Sequence, residues 1–300
     1  MGISAKEVKA LRERTGAGMM DCKRALADND GDMEAAIKFL EMKGIAAAKK
    51  KSSRVAAEGL VRIWANEDAT EAVLVEVNSE TDFVSRNEQF QEFADKVAAA
   101  IGASDITSNE EIGSVAVGDQ TIESFTTDTI AALGENISVR RFVRVTSPEG
   151  LVGTYIHAGD QLGVLVETKV NGGADRGAVE DFARDVAMHI AAMNPPYLNA
   201  SDIPAAEREE QEAIFAAQLA EEGKPENIIP KIITGKIKKW ESEISLLEQA
   251  FVKDTDKTIA EFQKGVDGAE LVGFVRFQVG EGIDKGEVDF AAEVAEQLKG

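Results

Sequence analysis

The sequence predicts an α+β protein built from several units, and three observations lead to this prediction. Residues 1–50 carry the apolar spacing of short helices. Alternating apolar runs such as VLVEV, residues 73–77, indicate strands of antiparallel sheets, and one pair of such runs occurs twice. Residues 205–244 are mostly polar with apolar residues at helical spacing, which predicts a helical hairpin.

Composition and charge restrict the class of partner. The chain has 300 residues, of which 44% are hydrophobic, so it can bury a sizeable core and divide into several units. Its formal charge of −21 opposes binding to nucleic acid phosphates or to an anionic membrane, so the expected partners are proteins. The apolar runs fall short of the roughly 20 residues that span a bilayer, and the amino terminus lacks a secretory pattern. We therefore expect no direct nucleic acid contact, no membrane contact and a cytoplasmic location.

Motifs for covalent chemistry and for cofactors are missing from the sequence. One cysteine, Cys22, excludes an internal disulfide and a cysteine metal cluster, and two histidines disfavour a histidine-rich metal site. Cys22 is expected to pack in a helix, with a reactive thiol as the less favoured alternative. The sequence contains no GxxxxGK[ST], GxSxG, HExxH or CxxC pattern. It predicts no catalytic residue, no metal, no cofactor and no binding of a nucleoside triphosphate by a phosphate loop.

The first unit, residues 1–54, is predicted to contain three short helices. AKEVKALRERTG ends at Gly16, MMDCKRALADN ends in polar turn residues, and GDMEAAIKFLEMKG lies between two glycines. The third segment places Ala36, Ile37 and Leu40 on one stripe. AAAKKKSSR, residues 46–54, is interpreted as a link to the next unit. Its lysines indicate a solvated helix end or linker more than a docking surface.

An internal repeat follows this module. EGLV at 58–61 recurs at 149–152, and VLVE at 73–76 recurs at 164–167, both 91 positions later. In the helices that follow, Phe93 corresponds to Phe182 and Ile101 to Ile190, an offset of 89. The second copy therefore lacks two residues between its strand and its helix. The predicted units are 55–148 for the first copy, and 149–199 with 246–282 for the second.

The strand-to-helix turn differs between the two copies. The first copy reads NSETDFVSRNEQF, residues 78–90, and the second reads KVNGGADRGAVED, residues 169–181. A turn of this kind lies on the surface, where a large aromatic residue needs a reason. The second copy folds with Gly172, Gly173 and Ala174 in this turn, so the repeat does not need an aromatic residue there. The comparison favours a functional role for Asp82 and Phe83.

Two histidines receive different interpretations. His157, in GTYIHAGDQLG, is placed on the turn between the strands of the second copy. An exposed turn histidine without a role and a functional histidine remain equal alternatives on sequence grounds. His189 flanks the apolar stripe of a helix and is interpreted as structural.

The last third of the chain is predicted to contain an inserted hairpin, a strand and a helix. The hairpin unit is 200–245, with a turn at 223–225. ELVGFVRFQVGEG, residues 270–282, alternates as a late strand, and DFAAEVAEQLKG is an amphipathic helix in the final unit, 283–300. The apolar seam of the hairpin is expected to contain Ile214, Phe215 and Leu219 against Ile229, Ile233, Ile237 and Trp240.

Several segments together resemble the bacterial elongation factor Ts family, the nucleotide exchange factors of elongation factor Tu. LRERTGAGMMDCKRAL, residues 11–26, and EVNSETDFVSR, residues 76–86, are similar to its two signatures. GENI at 134–137, AMHIAA at 187–192 and VRFQVGEGI at 275–283 also match. The resemblance covers nearly the whole chain and is weakest over 104–129 and the hairpin.

The resemblance implies a function and a set of partner-binding residues. A member of this family binds elongation factor Tu with GDP, disturbs its magnesium and phosphate site without covalent chemistry, and promotes GDP release. The amino-terminal module would have a ubiquitin-associated-like fold and dock on the GTPase domain, unless Met19 and Met20 belong to its core. The residues that the resemblance assigns to partner binding are Arg12, Met19, Met20, Lys23, Thr81, Asp82, Phe83, Val84, His157 and Phe290.

Within these roles, the turn from Thr81 to Val84 would insert near the partner's magnesium site, and His157 would approach its phosphate loop. Phe290, in the final helix, would pack on the same GTPase domain. A homodimer and a 2:2 complex with the GTPase both remain open. One alternative function is an adaptor with a ubiquitin-associated-like binding module. Another is an enzyme that uses Asp82 with Glu76 or Glu80 as an acid and base pair.

Overall fold

The computed structural model describes residues 3–284, and the segment predicted as a final helix, with Phe290, lies outside this range. The described chain mixes helices with antiparallel sheets, which confirms the predicted α+β class. It begins with three helices: α1 (Ala5–Thr15), α2 (Met19–Asp28) and α3 (Met33–Lys51). Ser4 and Glu7 form a capping box at the start of α1, and Gly16 ends the helix with a left-handed conformation, φ 67°. The three helices enclose a small core of Val8, Leu11, Cys22, Ala25, Leu26, Ala36 and Leu40.

The first three-stranded sheet has the order β1-β2-β5. β1 (Glu58–Ala65) and β2 (Glu71–Ser79) form an antiparallel hairpin, and β5 (Ile137–Thr146) pairs with the other edge of β2. Between β2 and β5 lie α4 (Asp82–Ser85), α5 (Glu88–Gly102), β3 (Ala116–Val117), β4 (Gln120–Thr121) and α6 (Ile122–Leu133). One face of the sheet packs on α5 and α6 through Val73, Val75, Phe90, Phe93 and Ile130.

The third helix extends beyond its predicted end. α3 continues through Gly44 to Lys51, so the predicted end of the helix at Gly44 was wrong. Of the two interpretations of the lysines, the solvated helix end is confirmed, because Lys49 and Lys50 are exposed in the last turn of α3. A Cβ on Gly44 would lie 3.5 Å from the Cβ of Ala131 on α6. The glycine is thus at a close approach of two helices, and it costs some helical propensity without ending the helix.

The second sheet has the order β6-β7-β10 and repeats the first. β6 (Gly150–Ile156) and β7 (Leu162–Val170) form the hairpin, α7 (Arg176–Met193) follows, and β10 (Ala269–Gln278) pairs with the far edge of β7. In the first copy Val61 lies opposite Glu76, and in the second Val152 lies opposite Glu167. The strand register therefore repeats with the 91-residue offset of the sequence.

The two sheets pack face to face. Side chains that alternate with those facing α5 point to the other sheet: Val61, Ala72 and Leu74 contact Val152, Leu165 and Phe277. A Cβ on Gly163 would lie only 2.6 Å from Cδ1 of Leu74, so this close contact requires glycine. Both faces of β2 are consequently buried.

A helical hairpin is inserted between α7 and β10. α8 (Ala205–Glu221) and α9 (Ile229–Ile244) lie side by side, and the Arg208 guanidinium pairs with the Glu241 carboxylate at 2.8 Å. Leu219 and Ile237 are buried in the seam, whereas Ile214 is 43% exposed and was wrongly placed there. The chain returns through β8 (Ala250–Phe251), β9 (Asp254–Thr258) and α10 (Ile259–Lys264).

Candidate functional site

The turn between β2 and α5 contains one helical turn, α4, that exposes an aromatic side chain. Thr81 caps it, because its Oγ1 accepts a hydrogen bond from the Val84 backbone N–H. The Ser85 hydroxyl donates to the Asp82 carbonyl at 2.8 Å. Val84 packs against the first core, while the Phe83 side chain is 81% exposed. The turn therefore presents Phe83 to solvent on a hydrogen-bonded backbone.

The segment before β5 supports this turn. Glu135 accepts a hydrogen bond from the Thr81 backbone N–H at 3.0 Å and another from the Thr81 hydroxyl at 2.6 Å. The Asn136 backbone N–H donates to the Glu80 carboxylate at 2.6 Å, and the Arg54 guanidinium pairs with the same carboxylate. Glu135 and Asn136 both belong to the GENI segment. Sequence reasoning assigned them no role, since nothing local connects them to a turn more than fifty positions away.

Asp82 keeps its carboxylate near the surface. It pairs with Arg86 one helical turn later, Oδ2 to Nη2 at 2.9 Å, and the Arg86 side chain is 77% exposed and that of Asp82 42% exposed. An exposed ion pair of this kind is worth little, about 0 to 1 kcal/mol. Asp82 can therefore exchange Arg86 for another cation or donor at small cost.

Glu76 and Glu80 do not offer an accessible acid and base. Glu76 is fully buried and accepts hydrogen bonds from Arg140, Arg141, Asn78 and the Gly280 backbone N–H. Burial alone would raise the pKa of Glu76, but these hydrogen bonds outweigh it and hold the pKa below the usual value. Glu80 is occupied by Asn136 and Arg54. Both glutamates that the enzyme alternative paired with Asp82 are therefore engaged in structural hydrogen bonds.

The turn that contains His157 borders the same cleft as the Phe83 turn. His157 is exposed at the turn between β6 and β7, with Nδ1 2.9 Å from the Tyr155 hydroxyl. One cleft is lined by Ser85 and Arg86 from the Phe83 turn and by Gly159, Asp160 and Gln161 from the His157 turn. Two turns that are more than seventy residues apart in the sequence therefore border one cleft, although neither Phe83 nor His157 is among the residues that line it.

The amino-terminal candidates are all at the surface. Met19 is 59% exposed and Met20 is 66% exposed, so the alternative that they form the module's core is wrong. Arg12 and Lys23 are also exposed, and no ion pair involves them in the described part of the chain. The module touches the repeat next to the Phe83 turn, since a Cβ on Gly16 would lie 3.9 Å from the Gln89 amide.

Residues 3–284 offer neither a cluster of metal ligands nor a helix that could span a membrane. No group of three or more histidine, cysteine or acidic residues could hold a metal ion there. Within the same residues, no helix is long and apolar enough to cross a membrane.

Cys22 is buried in the module core, as expected for a packing residue. His189 is buried on α7, where Nε2 bonds Gln249 and Nδ1 accepts from the Val252 backbone N–H, which supports its structural interpretation.

Comparison with known proteins gives one consistent result. The family model described as Elongation factor TS matches residues 80–281. Proteins named Elongation factor Ts are similar along the full chain. The one from Nitratiruptor sp. is 49% identical over 305 residues, and the one from Brucella anthropi is 49% identical over 310 residues, each match covering all of both chains. The one from Clostridium botulinum is 47% identical over 302 residues, covering 99% of both.

Proposed function

This chain belongs to the elongation factor Ts family, and on that premise we propose how its residues bring about nucleotide exchange. Membership makes it a translation elongation factor with a guanine nucleotide exchange role. It binds elongation factor Tu with GDP, disturbs the magnesium and phosphate site, and promotes GDP release so that GTP can rebind. The observation that carries this proposal is the 81% exposed Phe83 on a turn whose backbone is held by Glu135.

The mechanism follows from thermodynamic linkage. A GTPase holds GDP through contacts to the phosphates and through a magnesium ion, so displacement of these groups speeds release. An exchange factor binds the form that holds nucleotide weakly, and it weakens GDP binding by the same factor by which GDP weakens its own binding. No bond is made or broken. The chain therefore needs rigid, exposed contact groups and no reactive residue.

The residue roles divide by position. Phe83 supplies an apolar side chain that inserts into the partner. Asp82 gives up its ion pair with Arg86 and bonds groups near the magnesium ion of the partner. Thr81 caps the turn and Val84 packs against the first core, and both belong to the segment that inserts near the partner's magnesium site. His157, across the cleft, reaches the phosphate loop.

The amino-terminal module docks on the GTPase domain through Met19, Met20, Arg12 and Lys23. Methionine suits such a surface because its side chain adapts to the partner's shape. We assign this module a ubiquitin-associated-like fold and propose the domains 1–54, 55–148, 149–199 with 246–282, 200–245, and 283–300. By family resemblance, Phe290 packs on the same GTPase domain. The proposed location is the cytoplasm. The proposed assembly is a homodimer or a 2:2 complex with the GTPase.

The test measures release of fluorescent GDP from elongation factor Tu with and without the chain. Phe83→Ala should slow stimulated release, because a buried aromatic anchor at an interface is worth about 2 to 4 kcal/mol, roughly thirty-fold to a thousand-fold. Its melting temperature should stay nearly unchanged, since an 81% exposed side chain gives up little packing on truncation. Asp82→Ala should act in the same direction, and the double variant should be non-additive.

Ile214→Ala is the matched control, because Ile214 is a large apolar side chain exposed on the hairpin, away from the cleft. It should leave both release and melting unchanged. Normal exchange by folded Phe83→Ala would refute the role of the turn. A wild-type chain without effect on GDP release would instead favour the adaptor alternative.

A further inference from the structure

The Tyr155 hydroxyl contacts the ring of His157. Tyr155 lies near the end of β6, and His157 directly follows the strand, two positions later, so the two side chains can lie on one side of the chain. The hydroxyl oxygen lies 2.9 Å from Nδ1 of His157, and the ring centroids are 6.0 Å apart. Tyr155 itself is half-buried and packs against the core of the second sheet. A side chain anchored in the core therefore holds a side chain that is exposed.

The backbone of the His157 turn is also held. Asp160 adopts a positive φ of 60°, an uncommon conformation for a residue other than glycine. Its carbonyl accepts a hydrogen bond from the Val61 backbone N–H at 2.7 Å, and its carboxylate accepts one from the Arg62 guanidinium at 2.8 Å. Val61 and Arg62 lie on β1, which pairs with the strand that leads into the Phe83 turn. The His157 turn is therefore tied to the sheet that carries Phe83.

The hydrogen bond to Nδ1 determines what the rest of the ring can do. In the described residues no hydrogen bond involves Nε2 of His157, so that nitrogen is available to a partner. When a hydroxyl donates to Nδ1, the ring proton of the neutral imidazole is on Nε2. The imidazole then presents a donor to solvent. Phosphate oxygens and loop carbonyls can accept a hydrogen bond from this N–H.

We propose that Tyr155 is a positioning residue that fixes the ring of His157 in the Nε2–H form and aims that donor at acceptor oxygens of the GTPase phosphate site. The inference rests on the proposed function, since it takes His157 to face the nucleotide site. Tyr155 does not itself touch the partner. It acts by removing the rotational and tautomeric freedom of His157 before docking, which lowers the entropy lost when the contact forms.

The test uses Tyr155→Phe, which keeps the ring and removes only the hydroxyl. Maximal GDP release from elongation factor Tu should fall about three- to ten-fold, the value of one hydrogen bond, with little change in the KM for the GTPase. In the His157→Ala background the same substitution should have no further effect. Tyr197→Phe is the matched control, because it removes the hydroxyl of the chain's other tyrosine, which bonds Glu207 at the hairpin.

Nuclear magnetic resonance of the free full-length chain gives a readout independent of the GTPase. At about pH 8.5, where imidazoles are neutral, the wild-type His157 ring should be in the Nε2–H form, and Tyr155→Phe should increase its ring mobility. A dominant Nδ1–H form would overturn the proposal, as would a Tyr155→Phe defect that persists in His157→Ala. If His157→Ala exchanges normally while Phe83→Ala does not, this inference fails and the proposed function stands.

Discussion

Replacement of Glu76 by Gln should weaken the connection between the two sheets. Glu76 follows Leu74 on the face of β2 that meets the second sheet, and its side chain is fully buried. Oε1 accepts hydrogen bonds from the Gly280 backbone N–H at 2.8 Å and from Arg140 at 3.0 Å, and Oε2 accepts one from Arg141 at 2.6 Å. The carboxylate thus joins strands β2 and β5 to the segment after β10.

The expected loss of unfolding free energy follows from the ion pairs of the Glu76 carboxylate, which the neutral amide of Gln cannot form. Removing one partner from a buried ion pair typically costs about 3 to 5 kcal/mol. Arg140 and Arg141 keep about a quarter of their side chains exposed and can regain water, so we expect the lower end, about 3 kcal/mol. With an unfolding entropy of about 2.1 cal/mol/K per residue, a chain of this length should melt about 5 °C lower.

Thermal unfolding followed by circular dichroism measures this loss, and amide hydrogen exchange at Gly280 locates it. Glu167→Gln is the matched control, because Glu167 occupies the same register position in the second copy but is half-exposed. It should change stability by less than about 0.5 kcal/mol.

The effect of Glu76→Gln should also depend on pH. The folded-state pKa of Glu76 is lowered, so its contribution is present above the ordinary carboxyl pKa of 4.5 and is lost as pH falls through the folded value. The difference between wild type and variant should therefore shrink on acidification. A loss below about 1 kcal/mol at pH 7, or a difference that grows as pH falls, would refute the reasoning.

Two further predictions concern Glu135 and His189. Glu135→Gln weakens two hydrogen bonds from Thr81, so exchange of the Thr81 backbone amide should speed up and stimulated GDP release should fall about three- to ten-fold; unchanged exchange at Thr81 would contradict this support. Burial lowers the pKa of His189, partly offset by the Gln249 hydrogen bond, so its contribution should be present above the unfolded imidazole pKa of 6.5 and lost as pH falls below it. From pH 7.5 to pH 5 the melting temperature of the wild type should fall further than that of His189→Gln. Equal decreases in the two proteins would contradict this role of the buried His189.

Local patterns sufficed for most elements. Helix starts and ends such as Ser4 and Gly16 depend on neighbours a few residues away, so they can be recognised in sequence. The local sequence around Gly44 does not show whether the helix ends there. Whether a glycine ends a helix or admits a close contact depends here on Ala131, which is remote in sequence. Ile214 was misplaced for a similar reason, because helical spacing gives a face but not the partner that covers it.

The candidate site was predictable only in part. Comparison of the two repeats singled out Asp82 and Phe83, because the second copy folds without an aromatic turn. The same comparison could not find Glu135, whose bonds to Thr81 exist only after β5 pairs with β2. A tyrosine two positions before His157 was visible in the sequence, but its hydrogen bond needed the strand geometry.

The sequence by itself determined the α+β class, the 91-residue repeat, the family and the surface turn with Phe83, since each of these depends on residue order and local periodicity. The tertiary structure alone decided that the two sheets meet face to face, that Glu76 is enclosed between them, and that the turns of Phe83 and His157 border one cleft. The physical reason is that side-chain alternation on a strand specifies two faces, while only packing between distant segments specifies what each face contacts.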